Sequence, residues 1–529
     1  MTDTMNMSFR YDSRRMPVMA RNMVATGQPL AAQAGLDMLK RGGNAIDAAI
    51  AAAATLTVVE PTANGLGSDA FAQIWHQGEL HGLNASGRSP RRLSRSSFPD
   101  GKVPQLGWDP VTVPGAVSAW SHLSRRFGLL PFSSLMEPAI AYAREGFPVS
   151  PQAAAGWARA AARYRDFPEW QRVFAPEGRT PHAGDCFTNP DQAGTIERIA
   201  ASNGNDFYHG ELARRMAEIS ARDGGYLDFQ DLDEHQPLET TPLSVSIGDA
   251  EVHELPPNGQ GLAALVAMGI LDRLDLNKEE PDHPLTLHLQ MEAMKIGFED
   301  AFRIISDPDL LTEDPQSVLT AEALEQRAAR ISRTDVIQTI FPWPQWNSTV
   351  YLATADEEGN AVSFIQSNFE GFGSGVVIDG TGIAMQNRGS GFHPDPDHPG
   401  TIAGGVRPFH TIIPGFVTRD GTAEMPFGIM GGPMQAQGHL QFISRCLLSG
   451  QNPQEAMDAP RWRLFEGKRV EVEPGTNPAT IEGLSDLGHD VIMADSRTVR
   501  FGGGQAIQRL DGAWIGASDS RRDGQAVGF

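Results

Sequence analysis

Cysteine is scarce: Cys186 and Cys446 are the two thiols in 529 residues. Two cannot make a disulfide framework or a cysteine-based metal site, so both are expected as buried small apolar residues in a reducing compartment. Basic charge is in deficit, with 43 Lys and Arg against 65 Asp and Glu and a formal net charge of -22. Such a surface repels phosphate backbones and anionic lipid within a Debye length of ~8 Å, which argues against nucleic acid and membrane as partners. Long hydrophobic runs are missing too. The longest, Ala45 to Val59, is broken by Asp47 and Thr55 and is too short to cross a bilayer, so it is expected as a buried core helix. The opening segment carries Arg10, Arg14 and Arg15 without the apolar run of a secretory signal, and a cytoplasmic protein is expected. Gly-x-Ser-x-Gly, His-Glu-x-x-His, a Walker loop and an acidic calcium loop are all absent, which sets those chemistries aside. No metal and no organic cofactor is expected.

What is present is enough apolar residue, 40% of the chain, to bury a large core. A helix over Ala31 to Arg41 is expected to stop at Gly42-Gly43, with Asn44 capping the next helix and Asp47 at its third position. Gly65, Gly67 and Ala70 read as a tight turn and not as a dinucleotide fingerprint, because they follow a helix and not a strand. The loop with Arg88, Pro90, Arg91 and Arg92 reads as exposed or ligand-facing, and Val117 to Arg330 as mostly helical. Ile337 to Ser348, with Pro342, Trp343, Pro344, Trp346 and Asn347, cannot form a regular element. β-structure follows. Val350 to Ala355 and Ala361 to Ser367 flank a tight turn ending Gly359-Asn360, and a turn at Asp379-Gly380 introduces a strand through Met385. Met425 to Met430 is a strand leading through Gly431-Gly432 into a helix from Met434 to Leu448. Strands near Val470, Val491 and Ala506 and a hairpin at Asp511-Gly512 close the chain. The pattern is that of a layered α/β sandwich.

A threonine opening a strand, as Thr349 does, is ordinary by itself. Its company is informative. Gly42-Gly43-Asn44-Ala45-Ile46-Asp47-Ala48-Ala49, Val59-Glu60-Pro61, Thr112-Val113-Pro114-Gly115, Asp356 with Gly359-Asn360-Ala361-Val362, Arg407-Pro408 and Met430-Gly431-Gly432 occur in that order, and in this order the chain resembles the γ-glutamyltranspeptidase family along nearly its whole length. The resemblance implies a four-layer αββα sandwich of N-terminal-nucleophile hydrolases. It implies cleavage before Thr349 into a large subunit, 1–348, and a small one, 349–529, which stay together as a heterodimer, with a dimer of these as a further assembly. The freed α-amino group, with a reference pKa near 7.7 to 8.0, can act as base for the adjacent hydroxyl. Ser348 is the weaker rival nucleophile. Gly431 and Gly432 would donate backbone N–H groups to the oxyanion at a helix start, and Ser367 would hydrogen-bond the nucleophile.

Recognition residues depart from the family. The register places Ser86 where the family has a carboxylate-gripping arginine, so Arg88 is expected to do that work from two residues on. His410 replaces the first of two paired serines, with Thr411 second, and is expected to donate to a substrate carboxylate. In Gln386-Asn387-Arg388-Gly389-Ser390-Gly391 the acid that would hold an α-amino group is Gly391, while Arg388 and Asn387 favour an anion. Losing that charge-assisted bond costs about 1.5 to 3 kcal/mol. A small carboxylate-bearing amide without an α-amino group, such as oxamate or a glutaryl amide, is the expected substrate. A true γ-glutamyltransferase or glutathione hydrolase is one alternative. An unprocessed pseudoenzyme that binds small acids is another.

Overall fold

Turn chemistry and central strands buried on both faces build two seven-stranded sheets around one buried layer. In chain order the strands are β1 (Val18–Ala20), β2 (Met23–Thr26), β3 (Asp69–His76), β4 (Glu79–Asn84), β5 (Leu238–Thr240), β6 (Leu243–Ile247) and β7 (Ala250–Glu254). They continue as β8 (Val350–Ala355), β9 (Ala361–Ser367), β10 (Gly415–Arg419), β11 (Thr422–Met430), β12 (Gly503–Leu510), β13 (Ala513–Ser518) and β14 (Gln525–Gly528). The computed structural model describes residues 15–274, 276, 280–338, 349–496 and 498–529. Most of the stretch expected as an irregular loop, 339–348, and Ser348 with it, lies outside the described residues.

One seven-stranded sheet runs β14-β2-β8-β9-β3-β4-β5 and the other β1-β13-β12-β11-β10-β7-β6. Their facing sides share a core of Met23, Phe71, Tyr351, Ile365, Phe416 and Met430. Gly428 lets the sheets close, since a Cβ there would stand 2.4 Å from the Tyr351 ring. The outer face of the first sheet, with Val24, Ala72, Leu352 and Phe364, packs on α1 (Pro29–Lys40) and α2 (Ala45–Val59). The outer face of the second, with Val252, Met425 and Ile429, packs on α3 (Gly261–Asp272), α4 (Pro284–Ile304) and α5 (Met434–Ile443). The layers are therefore αββα, and each buried Leu, Ile, Val or Phe contributes roughly 1.5–3 kcal/mol against the cost of ordering the chain.

Local expectations meet local structure closely. Asn44 and Asp47 form a reciprocal capping box at the start of α2, every residue of which is buried. The hairpin strands β8 and β9 have the expected bounds, and Gly359 turns between them at φ 88°. The stretch expected as mostly helical also holds β5, β6 and β7, which finish the edges of both sheets. The helix expected to run to Leu448 ends as α-helix at Ile443 and continues as a π turn over Ser444–Leu448. Cys186 is exposed and not buried, and Cys446 is partly buried. Among the described residues no helix is long and apolar enough to cross a membrane.

Candidate active site

Thr349 stands at the mouth of the layer between the sheets, immediately before β8, and is buried. Its Oγ1 donates to Ser367 Oγ at 3.1 Å, and the Phe369 amide donates to the same oxygen at 2.8 Å. Across the next strand Ser367 pairs in register with Asp69. Directly paired residues of antiparallel strands point to one face, so Thr349, Ser367 and Asp69 form a polar row over three adjacent strands. Phe369 adopts φ 75°, a left-handed conformation costly for a large side chain and characteristic of sites that need it. Its ring lies 4.2 Å from the Arg388 guanidinium.

Asp69, at the start of β3, is the hub that joins this row to the recognition segments. Its Oδ1 accepts the Gly87 amide at 3.1 Å, while Oδ2 meets His410 Nε2 at 3.0 Å and faces Arg388 Nε at 3.8 Å. All three side chains are fully or almost fully buried. Burial pushes the Asp69 carboxyl up to about 7, against the pull of Arg388. Burial likewise lowers the Arg388 guanidinium to about 9, with Asp69 and Glu370 opposing. His410 is held well below its ordinary value by burial and by the nearby Arg388 charge, so the ring is neutral. Its Nδ1 has no hydrogen-bond partner among the described residues, nor has Arg388 Nη2. Arg388 Nη1 donates to Thr411 Oγ1 at 3.0 Å. A buried cation with unused donors is expensive unless an anion completes it.

Gly431 and Gly432 follow β11 at φ 133° and 61°, values that favour glycine, and their carbonyls accept from Met434 and Gln435 at the start of α5. Such a junction presents amides and the positive end of a helix dipole. Gln260, just before α3, donates from Nε2 to the carbonyls of both Gly432 and Thr411. One side chain thus ties the glycine pair to the segment that holds Arg388.

Other anticipated residues stand elsewhere. The Arg88 guanidinium is spent on Asp307 at 2.9 Å, Asp309 at 2.6 Å and the Gly405 carbonyl at 2.9 Å. That geometry does not match a carboxylate grip; Arg88 clasps two loops, as its neighbours Arg91 and Arg92 pair with Asp228, Asp231 and Glu234. His410 also departs from expectation. Its Nε2 meets Asp69, so once Asp69 is ionised the neutral ring's one proton is held there and none is left for a substrate carboxylate. Asn387 is a scaffold, accepting from the Glu370 amide at 3.1 Å and donating to the Gln105 carbonyl at 3.0 Å. Glu370, raised by burial, is paired with Arg163 at 2.7 Å. Asp69, Gln260, Phe369 and Glu370 were missed in sequence; the only signal was an isolated acid in Gly67-Ser68-Asp69 after the glycines.

The family model for gamma-glutamyltranspeptidase matches residues 31–529. The chain belongs to the γ-glutamyltranspeptidase family. Within it, the chain is 34% identical to a glutathione hydrolase-like proenzyme, YwrD, of Bacillus subtilis (strain 168), over 96% of this chain and 98% of that one. It is also 34% identical to the oxamate amidohydrolase proenzyme of Klebsiella pneumoniae, over 97% and 99%. Among solved structures, cephalosporin acylase from Bacillus halodurans superposes with a TM-score of 0.96 at 45% identity, covering 100% of this chain and 99% of that one. This γ-glutamyltranspeptidase family member is an enzyme of the N-terminal-nucleophile kind acting on amide C–N bonds. Its relatives are named as proenzymes.

Among the described residues of this family member, one group of metal-ligand types comes together, His288, Glu292 and His489. Glu292 is occupied by Lys295 Nζ at 2.7 Å and the Ile337 amide at 2.7 Å, and His288 joins His489 at 2.8 Å and the Ser332 carbonyl at 2.9 Å. A buried ammonium inside the cluster opposes a cation there.

Proposed function

We propose that Thr349, freed by self-cleavage, is the nucleophile of an amidohydrolase for small carboxylate-bearing amides that lack an α-amino group, oxamate or a glutaryl amide being representative. Thr349 Oγ adds to the amide carbonyl, its proton passing to the new α-amino group. The amides of Gly431 and Gly432 carry the oxyanion, the C–N bond breaks, and the departing nitrogen takes that proton. Water then releases the acid from the ester. Ser367 holds the Thr349 hydroxyl in line. The subunits 1–348 and 349–529 remain associated as a heterodimer.

The observation that carries the substrate reading is the buried Arg388, whose Nη2 has no partner among the described residues, beside acids that are already spent. Asp69 is balanced by Arg388 and Glu370 by Arg163, so neither of these two acids beside Arg388 is left over for a substrate ammonium. Gly391 offers none either. The relative named for oxamate, which bears a carboxylate and no α-amino group, supports the same class.

Intact mass of the purified chain tests the processing, with two fragments expected and their loss in Thr349→Ala, together with all turnover. An assay of ammonia from oxamate beside p-nitroaniline release from γ-glutamyl- and glutaryl-p-nitroanilide tests the substrate. Preference for the γ-glutamyl donor would overturn the reading of Arg388 and Gly391, and an intact chain that still turned over amides would overturn that of Thr349.

A further inference from the structure

The hydrogen-bonding sense of His410 follows from its neighbours. Burial and the Arg388 charge keep the ring neutral, so it carries one proton. Asp69 Oδ2 sits 3.0 Å from Nε2, while Oδ1 takes the Gly87 amide and Arg388 stands 3.8 Å from Oδ2. Above about pH 7, where Asp69 is ionised, an N–H donor on one oxygen and a cation by the other make it an acceptor-only carboxylate. The ring proton then lies on Nε2, and Nδ1, without a partner among the described residues, is a bare acceptor. The same Oδ2 draws in Arg388, whose Nη2 is a donor without a partner among the described residues. An acceptor and a cationic donor held by one carboxylate do not welcome the same ligand group.

We propose that Asp69 is a positioning residue that sets the polarity of the acyl pocket. By taking the Nε2 proton of His410 it makes Nδ1 an acceptor, and by holding Arg388 it orients a donor, so the pair selects a ligand bearing a carboxylate and an N–H over the matching dicarboxylate. This rests on Arg388 as the carboxylate-binding group of the proposed function. It adds a second requirement, a hydrogen on the ligand nitrogen, and assigns that requirement to a residue outside the reacting set.

Asp69→Asn inverts the logic with almost no change of shape. The Gly87 amide continues to demand an acceptor, so the asparagine carbonyl takes the place of Oδ1 and its NH2 faces His410. That NH2 donates to Nε2, the ring proton moves to Nδ1, and the acceptor becomes a donor.

The test is calorimetric binding at pH 8, between the Asp69 and Arg388 values, of oxamate and of oxalate to the processed wild-type enzyme and to Asp69→Asn, with the diacid used as competitor where the amide turns over. The wild type is expected to favour oxamate, and the variant to shift the oxamate-to-oxalate ratio toward oxalate by about tenfold or more, one hydrogen bond gained or lost. Equal weakening of both ligands would mean that Asp69 only supports the fold, and wild-type preference for oxalate would also overturn the proposal. Imidazole ¹⁵N spectra, with the His410 signal identified by its loss in His410→Gln, are expected to show the proton on Nε2 in the wild type; a proton on Nδ1 refutes the proposal even if Asp69→Asn does not fold. Neither readout needs turnover. An enzyme that released no ammonia yet kept this preference would overturn the proposed function and leave Asp69 in place.

Discussion

Replacing Arg388 by glutamine should convert a selective pocket into an indifferent one. The guanidinium is buried, spends Nη1 on Thr411 and keeps Nη2 free of partners among the described residues. A charge-assisted bond to a substrate carboxylate contributes about 1.5–3 kcal/mol, which at 1.4 kcal/mol per decade is roughly a 10- to 150-fold loss of kcat/KM. The change also strips Asp69 of its cation, and burial then drives that carboxyl to keep its proton. Both effects act on recognition, whereas Thr349, Ser367 and the glycine pair keep their geometry. The assay is ammonia release from oxamate and from oxamide, its uncharged counterpart, on enzyme whose processing is verified by mass. Oxamate should lose the full factor and oxamide a much smaller one, and Arg388→Lys should recover part of the oxamate loss. Equal losses on the two amides would refute the assignment, since a group that reads a carboxylate cannot matter as much to a ligand without one.

Ser367→Ala removes the acceptor of both the Thr349 hydroxyl and the Phe369 amide. A buried amide left unpaired costs about 1–3 kcal/mol, so the appearance of fragments on a denaturing gel should slow by about 5- to 150-fold, with Ser367→Thr close to wild type. Glu60, buried beside Gly27 and Arg522, is pushed up to about 7 by burial. The folded state holds this proton in the window from 4.5 to about 7 while the unfolded state gives it up. Stability therefore falls as pH rises through that window, by at most about 3 kcal/mol. Glu60→Gln should raise the urea midpoint at pH 8 and leave it unchanged at pH 4.5.

Much of the fold was legible because its signals are local. The Asn44 capping box, the Gly359 hairpin and the strand–glycine–helix run at Gly431-Gly432 each depend on residues within a few positions of one another. Strands β5 to β7 were not, because three short strands inside a helical stretch owe their existence to sheet partners such as Asn84 and Phe416, about 150 to 160 positions away. The site divides in the same way. Thr349 and Ser367 are legible because a hairpin register joins them. Arg88 misleads because its partners, Asp307 and Asp309, lie more than 200 residues on. Asp69 was invisible because an acid after glycines carries no motif, and its meaning comes from Ser367, Arg388 and His410 arriving from three other segments.

The order of strands has a kinetic consequence. In the first sheet β14, β8 and β9 lie among β2, β3, β4 and β5, so segments from both sides of residue 348 alternate in hydrogen-bonded succession. In the second, β13 to β10 lie between β1 and the β7–β6 pair. Severing the chain before Thr349 would leave neither piece with either seven-stranded sheet whole. A native pair would resist dilution, yet once denatured it would have to find itself again as two molecules, with a recovery that depends on concentration where the uncut chain's does not. Cleavage would then act as a ratchet: it frees an amine for chemistry and removes the connection by which the chain folded.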